Sequence, residues 1–203
     1  LDEAEWKHAP VRKLDRIDQF YAFNFKEIAS VQKWKGIDDL SAEIRYLWDD
    51  NYLYVSVKVK DDIAGKIHRS DGGLWQQDGL QFLIDPMRTS KYKVGKYEYT
   101  VGEGTKGVQT WCTLSADGEA PAGNATEVKA AIQREVNERG DITYEIAFPW
   151  KRLAPFKPAI GGNLGFTLIV NEDDGHGRNA FMTWFGNAHT KDVDTVGDLI
   201  LME

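Results

Sequence analysis

Between Ala42 and Val59 the chain reads AEIRYLWDDNYLYVSVKV, two runs of alternating residues joined at Asp49-Asp50-Asn51. Ala42, Ile44, Tyr46 and Trp48 share one face of the first run, with Glu43 and Arg45 opposite. In the second run Leu53, Val55, Val57 and Val59 share a face, opposite Tyr54, Ser56, Lys58 and Lys60. A helix would scatter these apolar residues around its circumference, whereas a strand gathers them on one side. The segment is therefore expected to be an antiparallel hairpin that covers a core with one face only.

The same period recurs along the chain. Leu80, Phe82 and Ile84 alternate up to Pro86, and Tyr97–Val101 and Val108–Leu114 flank the glycine-rich stretch Gly102–Gly107. Val128, Ala130 and Ile132 are followed, across the turn Asn137–Asp141, by Tyr144, Ile146 and Phe148. Leu164, Phe166, Leu168 and Val170 form another clean run; Phe20–Phe25, Phe181–Phe185 and Asp198–Met202 complete the set. Pro149 suits the first position of one short helix over Pro149–Leu153. About ten strands with turns between them predict an all-β fold, an antiparallel β-sandwich of immunoglobulin or jelly-roll type. No repeat, linker or low-complexity tract divides the chain, and 203 residues suit a single sandwich domain over 1–203.

Composition excludes several functions. A net charge of −7 without any basic run disfavours a nucleic-acid partner. The lone Cys112 permits no intramolecular disulfide or cysteine metal cluster, and within its strand pattern it reads as a small buried residue. No apolar stretch approaches the roughly 18 residues of a spanning helix, so no membrane partner is expected. Nucleophile elbow, zinc-protease helix, phosphate loop and dinucleotide fingerprint are all absent. His8, His68, His176 and His189 lie far apart in sequence, and Glu145 reads as an outward-facing strand glutamate. Catalysis is not expected. No signal peptide opens the chain, and its first residues, LDEAEWKHAP, already suit the fold. The expectation is a processed protein or a module of a longer one.

An ordered set of motifs spans nearly the whole chain. It comprises the hairpin Leu40–Val59, Trp75-Gln76-Gln77-Asp78-Gly79-Leu80-Gln81 running to Ile84-Asp85, and Tyr144-Glu145-Ile146-Ala147-Phe148-Pro149-Trp150. Gly165-Phe166 to Val170-Asn171-Glu172 and Val196-Gly197 to Leu201 close it. Together these motifs resemble the family 9 carbohydrate-binding modules, within the wider DOMON-like sandwich group. The resemblance implies non-catalytic binding of an oligo- or polysaccharide, with a sugar ring stacked on tryptophan and its hydroxyls read by polar side chains. It also implies a monomer linked covalently to a catalytic or surface domain of a larger secreted protein.

Carried over residue by residue, the resemblance assigns ring stacking to Trp75 and hydroxyl contacts to Gln81, Asn171 and Arg178. The resemblance adds Trp184 and His189 to the carbohydrate-binding set, around the binding loop, although Trp184 by its strand pattern reads more often as a core residue. The second stacking tryptophan is missing, because Phe185–Thr195 holds only Phe185 and His189. An arginine expected near Tyr99 or Thr100 is also absent, and Ile169 replaces a polar reader. Trp48, Trp111 and Trp150 are expected in the core, and Trp6 and Trp34 are expected to pin the amino-terminal segment. The family's structural calcium makes Asp61, Asp62 and Asp71, and Asp173 with Asp174, candidate ligands; solvated turn aspartates are the alternative. Two other functions stand beside sugar binding. One is a haem-binding DOMON-type electron-transfer domain using Met182 with His176 or His189; the other is an interaction sandwich with a decayed sugar site.

Overall fold

The computed structural model describes residues 4–22, 34–88, 95–116, 123–135, 139–185, 191 and 196–203. Its first sheet has the order β1-β3-β4-β10-β9, formed by β1 (Arg12–Leu14), β3 (Leu40–Trp48), β4 (Tyr52–Asp61), β9 (Lys129–Arg134) and β10 (Ile142–Pro149). The second has the order β2-β12-β11-β5-β6-β7-β8. Its strands are β2 (Phe20–Ala22), β5 (Gly79–Asp85), β6 (Tyr97–Gly104), β7 (Gly107–Leu114), β8 (Gly123–Asn124), β11 (Asn163–Glu172) and β12 (Ala180–Thr183). The last strand, β13 (Gly197–Ile200), shares an edge of β11 with β12. All pairings between described strands are antiparallel, and the helical elements are short 3-10 turns, including Trp150–Leu153 in place of the expected helix.

The hairpin sets the register of the first sheet. Asp49 accepts the backbone N–H groups of Asn51 (2.7 Å) and Tyr52 (2.8 Å), an aspartate-closed turn. Ala42 then pairs with Val59, Ile44 with Val57 and Tyr46 with Val55, which puts every apolar residue of the pattern on the inner face. A slip of one residue would turn that whole set to solvent. From the other sheet come Leu80, Phe82 and Ile84, Tyr97 and Tyr99, and Leu164, Phe166, Leu168 and Val170, all buried in the same core. Phe82 sits at the centre, edge-on to Phe148 (5.2 Å) and Phe166 (6.0 Å). The Tyr97 and Tyr99 hydroxyls donate to the carbonyls of Ala154 (2.7 Å) and Arg152 (2.8 Å), so both rings are buried without an orphaned hydroxyl.

Cys112 is buried, donates to the Leu114 carbonyl, and has its thiol pushed up by burial, which suits an inert core residue. Trp111 departs from expectation. Its neighbour Cys112 points inward, so Trp111 opposes Thr100 on the outer face of the second sheet, against Gly72. Trp34 pins its segment by donating to the Leu40 carbonyl (2.9 Å). The strand expected over Phe20–Phe25 is formed at Phe20–Ala22, and residues 23–25 lie outside the described residues. Phe82→Ala should lower stability by about 3–5 kcal/mol through lost burial and the cavity left between the Phe148 and Phe166 rings. Urea unfolding should register this as a lower midpoint with an unchanged slope.

Candidate functional site

Outward-facing positions on the second sheet form a row across five strands. Thr183 of β12 opposes Ile169 of β11, Ile169 opposes Gln81 of β5, Gln81 opposes Thr100 of β6, and Thr100 opposes Trp111 of β7. Beside it runs a shorter row, Tyr21, Phe181, Asn171 and Gly79. The 3-10 turn Asp71–Gln76 and the loop between β11 and β12 rise over these rows, carrying Trp75 and Arg178. The Arg178 N–H donates to the Gln76 carbonyl at 2.8 Å, which ties the two loops together.

A polar chain crosses this face. Lys191 Nζ lies 2.6 Å from Glu98 Oε2, Gln81 Nε2 donates to Glu98 Oε1 (3.3 Å), and Arg178 Nη1 donates to Gln81 Oε1 (3.3 Å). The guanidinium carbon of Arg178 stands 4.4 Å from the Phe181 ring centre and 5.5 Å from that of Trp75. Burial presses the Arg178 guanidinium down to about 9, against the opposing pull of Glu98, which still leaves it charged at neutral pH. Tyr21 stacks on Phe181 at 5.2 Å, and Ile169 completes an apolar shelf with them. Asn171 is 3% exposed, and neither its amide nitrogen nor its oxygen has a hydrogen-bond partner among the described residues. A buried amide in that state is costly unless a ligand or water satisfies it.

Trp75, Gln81, Asn171 and Arg178 are thus brought together as expected. Trp184 is not with them. Its ring stacks on Tyr46 (5.4 Å) and meets Phe166 edge-on (6.5 Å), which puts it against the core at the inner side of the sandwich. His189 lies outside the described residues. Glu98 and Lys191 were not singled out from sequence, although strand period alone places Glu98 and Thr100 opposite to the buried Tyr97 and Tyr99. The haem reading finds no support, since Met182 is fully buried in the core while His176 is exposed on the loop between β11 and β12.

A second cluster lies at one end of the core. Asp61, Asp62, Glu172 and Asp174 bring carboxylate oxygens within 4.8 Å of one another. Oxygens held at about 2.3–2.6 Å from one calcium ion are separated by at most about twice that distance, so the spacing fits. Glu172 is 1% exposed, and neither of its oxygens has a hydrogen-bond partner among the described residues. Burial, then the neighbouring carboxylates, push Asp61 up to about 8 and Glu172 up to about 9. Glu172 was missed because it reads as the end of a strand rather than as part of the Asp173-Asp174 turn. Two expected ligands stand apart. Asp71 binds Lys106 and Gln109. Asp173 Oδ1 accepts the N–H groups of Gly175 (2.8 Å) and Gly177 (2.7 Å), so its carboxylate shapes the turn.

The family described as "Carbohydrate family 9 binding domain-like" matches residues 16–203. The endo-1,4-beta-xylanase A of Thermotoga maritima is 29% identical over 166 residues, covering 80% of this chain and 14% of the xylanase. The chain therefore spans a small fraction of the length of that relative. Two solved structures of a family 9 module from Caldicellulosiruptor kristjanssonii share the fold at 18% identity. The one with cellotriose has a TM-score of 0.67, covering 98% of this chain and 86% of that one; the one with glucose has 0.69, covering 99% and 88%. With the family matching almost the entire chain, this protein belongs to the carbohydrate family 9 binding domains.

Proposed function

We propose that this chain is a non-catalytic carbohydrate-binding module that takes a glucose-type ring against Trp75 on the outer face of its second sheet. The observation that carries the reading is the polar chain Lys191–Glu98–Gln81–Arg178, which ends beside the Trp75 indole. A pyranose presents C–H groups on its faces and hydroxyls at its rim. An indole plane suits the former, and a fixed amide, guanidinium and carboxylate suit the latter. Asn171, buried with its amide unsatisfied, supplies a further donor and acceptor. The glucose and cellotriose complexes of the similar modules support the same ligand class. Glu98 is paired with Lys191 and hydrogen-bonded to Gln81, an arrangement for holding a hydroxyl rather than for transferring a proton.

The relative's name and the small share of it that aligns support a module joined to a secreted polysaccharide-degrading enzyme, delivering it to its substrate. Calcium is part of the proposal, held by Asp61, Asp62, Glu172 and Asp174. Its charge would satisfy the buried Glu172 carboxylate and relieve the mutual repulsion of the four groups.

Cellotriose titration followed by tryptophan fluorescence should give a saturable change. Trp75→Ala should weaken binding by at least about 30-fold, the cost of removing a stacking anchor. Arg178→Lys should weaken it about tenfold, because a flexible ammonium cannot reproduce the planar fork beside Gln81. Unchanged affinity in Trp75→Ala would remove the site from this face.

Asp61 and Glu172 also fix a pH dependence. Both have native pKa values raised above those of the unfolded chain, so the cation-free native state holds more protons than the unfolded state above the ordinary carboxylate range. Their contribution is present in full at low pH and is lost as pH rises through about 8 and 9. Chelated protein should therefore lose stability across that window, with a limiting slope of about 1.4 kcal/mol per pH unit for each proton. Saturating calcium should flatten the curve. Thermal denaturation between pH 5 and 9, with calcium or chelator, measures both.

A further inference from the structure

The turn between β11 and β12 belongs to both clusters. At its start, Glu172 and Asp174 enter the carboxylate group with Asp61 and Asp62. At its end, Arg178 reaches Gln81 and stands beside Trp75. Asp173 joins the two ends, since its carboxylate accepts the N–H groups of Gly175 and Gly177, both in the left-handed region at φ +96° and +91°. Asn179 closes the loop by donating its backbone N–H to the Glu172 carbonyl (3.0 Å) and its side-chain amide to Asp174 (2.9 Å).

The loop that carries Trp75 is tied to the same turn. Asp78, buried directly below that loop, accepts the Asp173 N–H through Oδ1 (2.9 Å) and the Gly65 N–H through Oδ2 (3.1 Å). Gly65 is packed so closely that an added Cβ would lie 2.5 Å from the Asp173 carbonyl and 2.6 Å from Asp78. The Arg178 N–H bond to Gln76 forms the second tie. The turn therefore cannot move at Glu172 and Asp174 without moving Arg178 and the support of Trp75.

We infer that divalent-cation binding at Asp61, Asp62, Glu172 and Asp174 and saccharide binding at Trp75 and Arg178 are mutually strengthening, coupled through the Glu172–Asn179 turn. The inference rests on the sugar-site reading above. The four carboxylates as they stand would hold a cation; among the described residues no hydrogen-bond donor fixes the buried oxygens of Glu172, so a cation would add the missing anchor at the start of the turn that presents Arg178. Coupling is reciprocal, so one factor must describe both effects.

The test is calorimetry on the whole chain, with near-ultraviolet circular dichroism confirming that the chelated protein is folded at the temperature used. Calcium alone is titrated first, then cellotriose with saturating calcium and with chelator, then calcium in the presence of saturating cellotriose. The expected result is an affinity for cellotriose about tenfold weaker in chelator, and an affinity for calcium raised by the same factor in cellotriose. Equal cellotriose affinities in the two conditions would overturn the coupling while leaving the sugar site standing. Absence of cellotriose binding in both would overturn the site itself and the coupling with it. Asp173→Ala provides the second arm, because it removes the clasp on Gly175 and Gly177 and leaves the four carboxylates untouched. It should still bind calcium, with the coupling factor reduced toward one. A variant that kept the full factor would refute the proposed route through the turn.

Discussion

Acid buried between two sheets is the constraint on which the architecture of this domain depends. Along β4 the inward-facing positions run Leu53, Val55, Val57, Val59 and then Asp61; along β11 they run Leu164, Phe166, Leu168, Val170 and then Glu172. Each strand continues its alternation past the apolar core and ends in a carboxylate between the sheets. An unpaired buried charge costs several kcal/mol. Asp78 is buried at the same end and escapes this cost, with two backbone N–H donors and Arg134 3.7 Å away. Even so, burial lifts it to about 6. Asp61 and Glu172 have less to balance them, and a proton or a hard cation is the remaining solution.

The outer face of the second sheet solves a different problem. A saccharide site must hold donors and acceptors at fixed separations, and strands do this better than loops. Gln81 and Glu98 stand on neighbouring paired strands, and each of the charged groups at the two ends of the row meets an acceptor: Lys191 meets Glu98, and Arg178 meets the Gln81 oxygen. Every member of the chain thereby orients the next before any ligand arrives. The apolar shelf of Ile169, Phe181 and Tyr21 flanks the row, so Ile169, where a polar reader was expected, instead packs against Phe181, the ring that lies under Arg178.

Sequence periodicity disclosed most of the fold because one-sided burial writes itself into alternating residues. It placed the inner faces of β3, β4, β5, β10 and β11 correctly, residue by residue. It misjudged Trp111, whereas Trp184 lies against the core as its strand pattern suggests, and only the resemblance had placed it at the binding site. Large aromatic residues near strands suit either face, and only the register against Thr100, or the packing on Tyr46, decides between them. Asp71, Asp173 and Glu172 illustrate a second limit. Whether an aspartate in a turn meets a lysine, its own backbone or a cation depends on contacts distant in sequence. The pairing of Glu98 with Lys191 spans 93 positions and left no local trace.

The proximity of the two clusters follows from strand geometry itself. Asn171 and Glu172 are consecutive residues at the end of β11, so their side chains project to opposite faces of the sheet. Asn171 faces outward, opposite Phe181 and Gly79, while Glu172 faces inward toward Asp61. A strand that must present a polar reader on its outer face and an acid at the sandwich end can do both within two residues. The tight turn that follows then returns the chain to the outer face, where Arg178 sits. Any charge that fixes Glu172 on the inner side also fixes the end of the strand from which Asn171 projects, and a sheet only one residue thick offers little room for the two sides to relax independently.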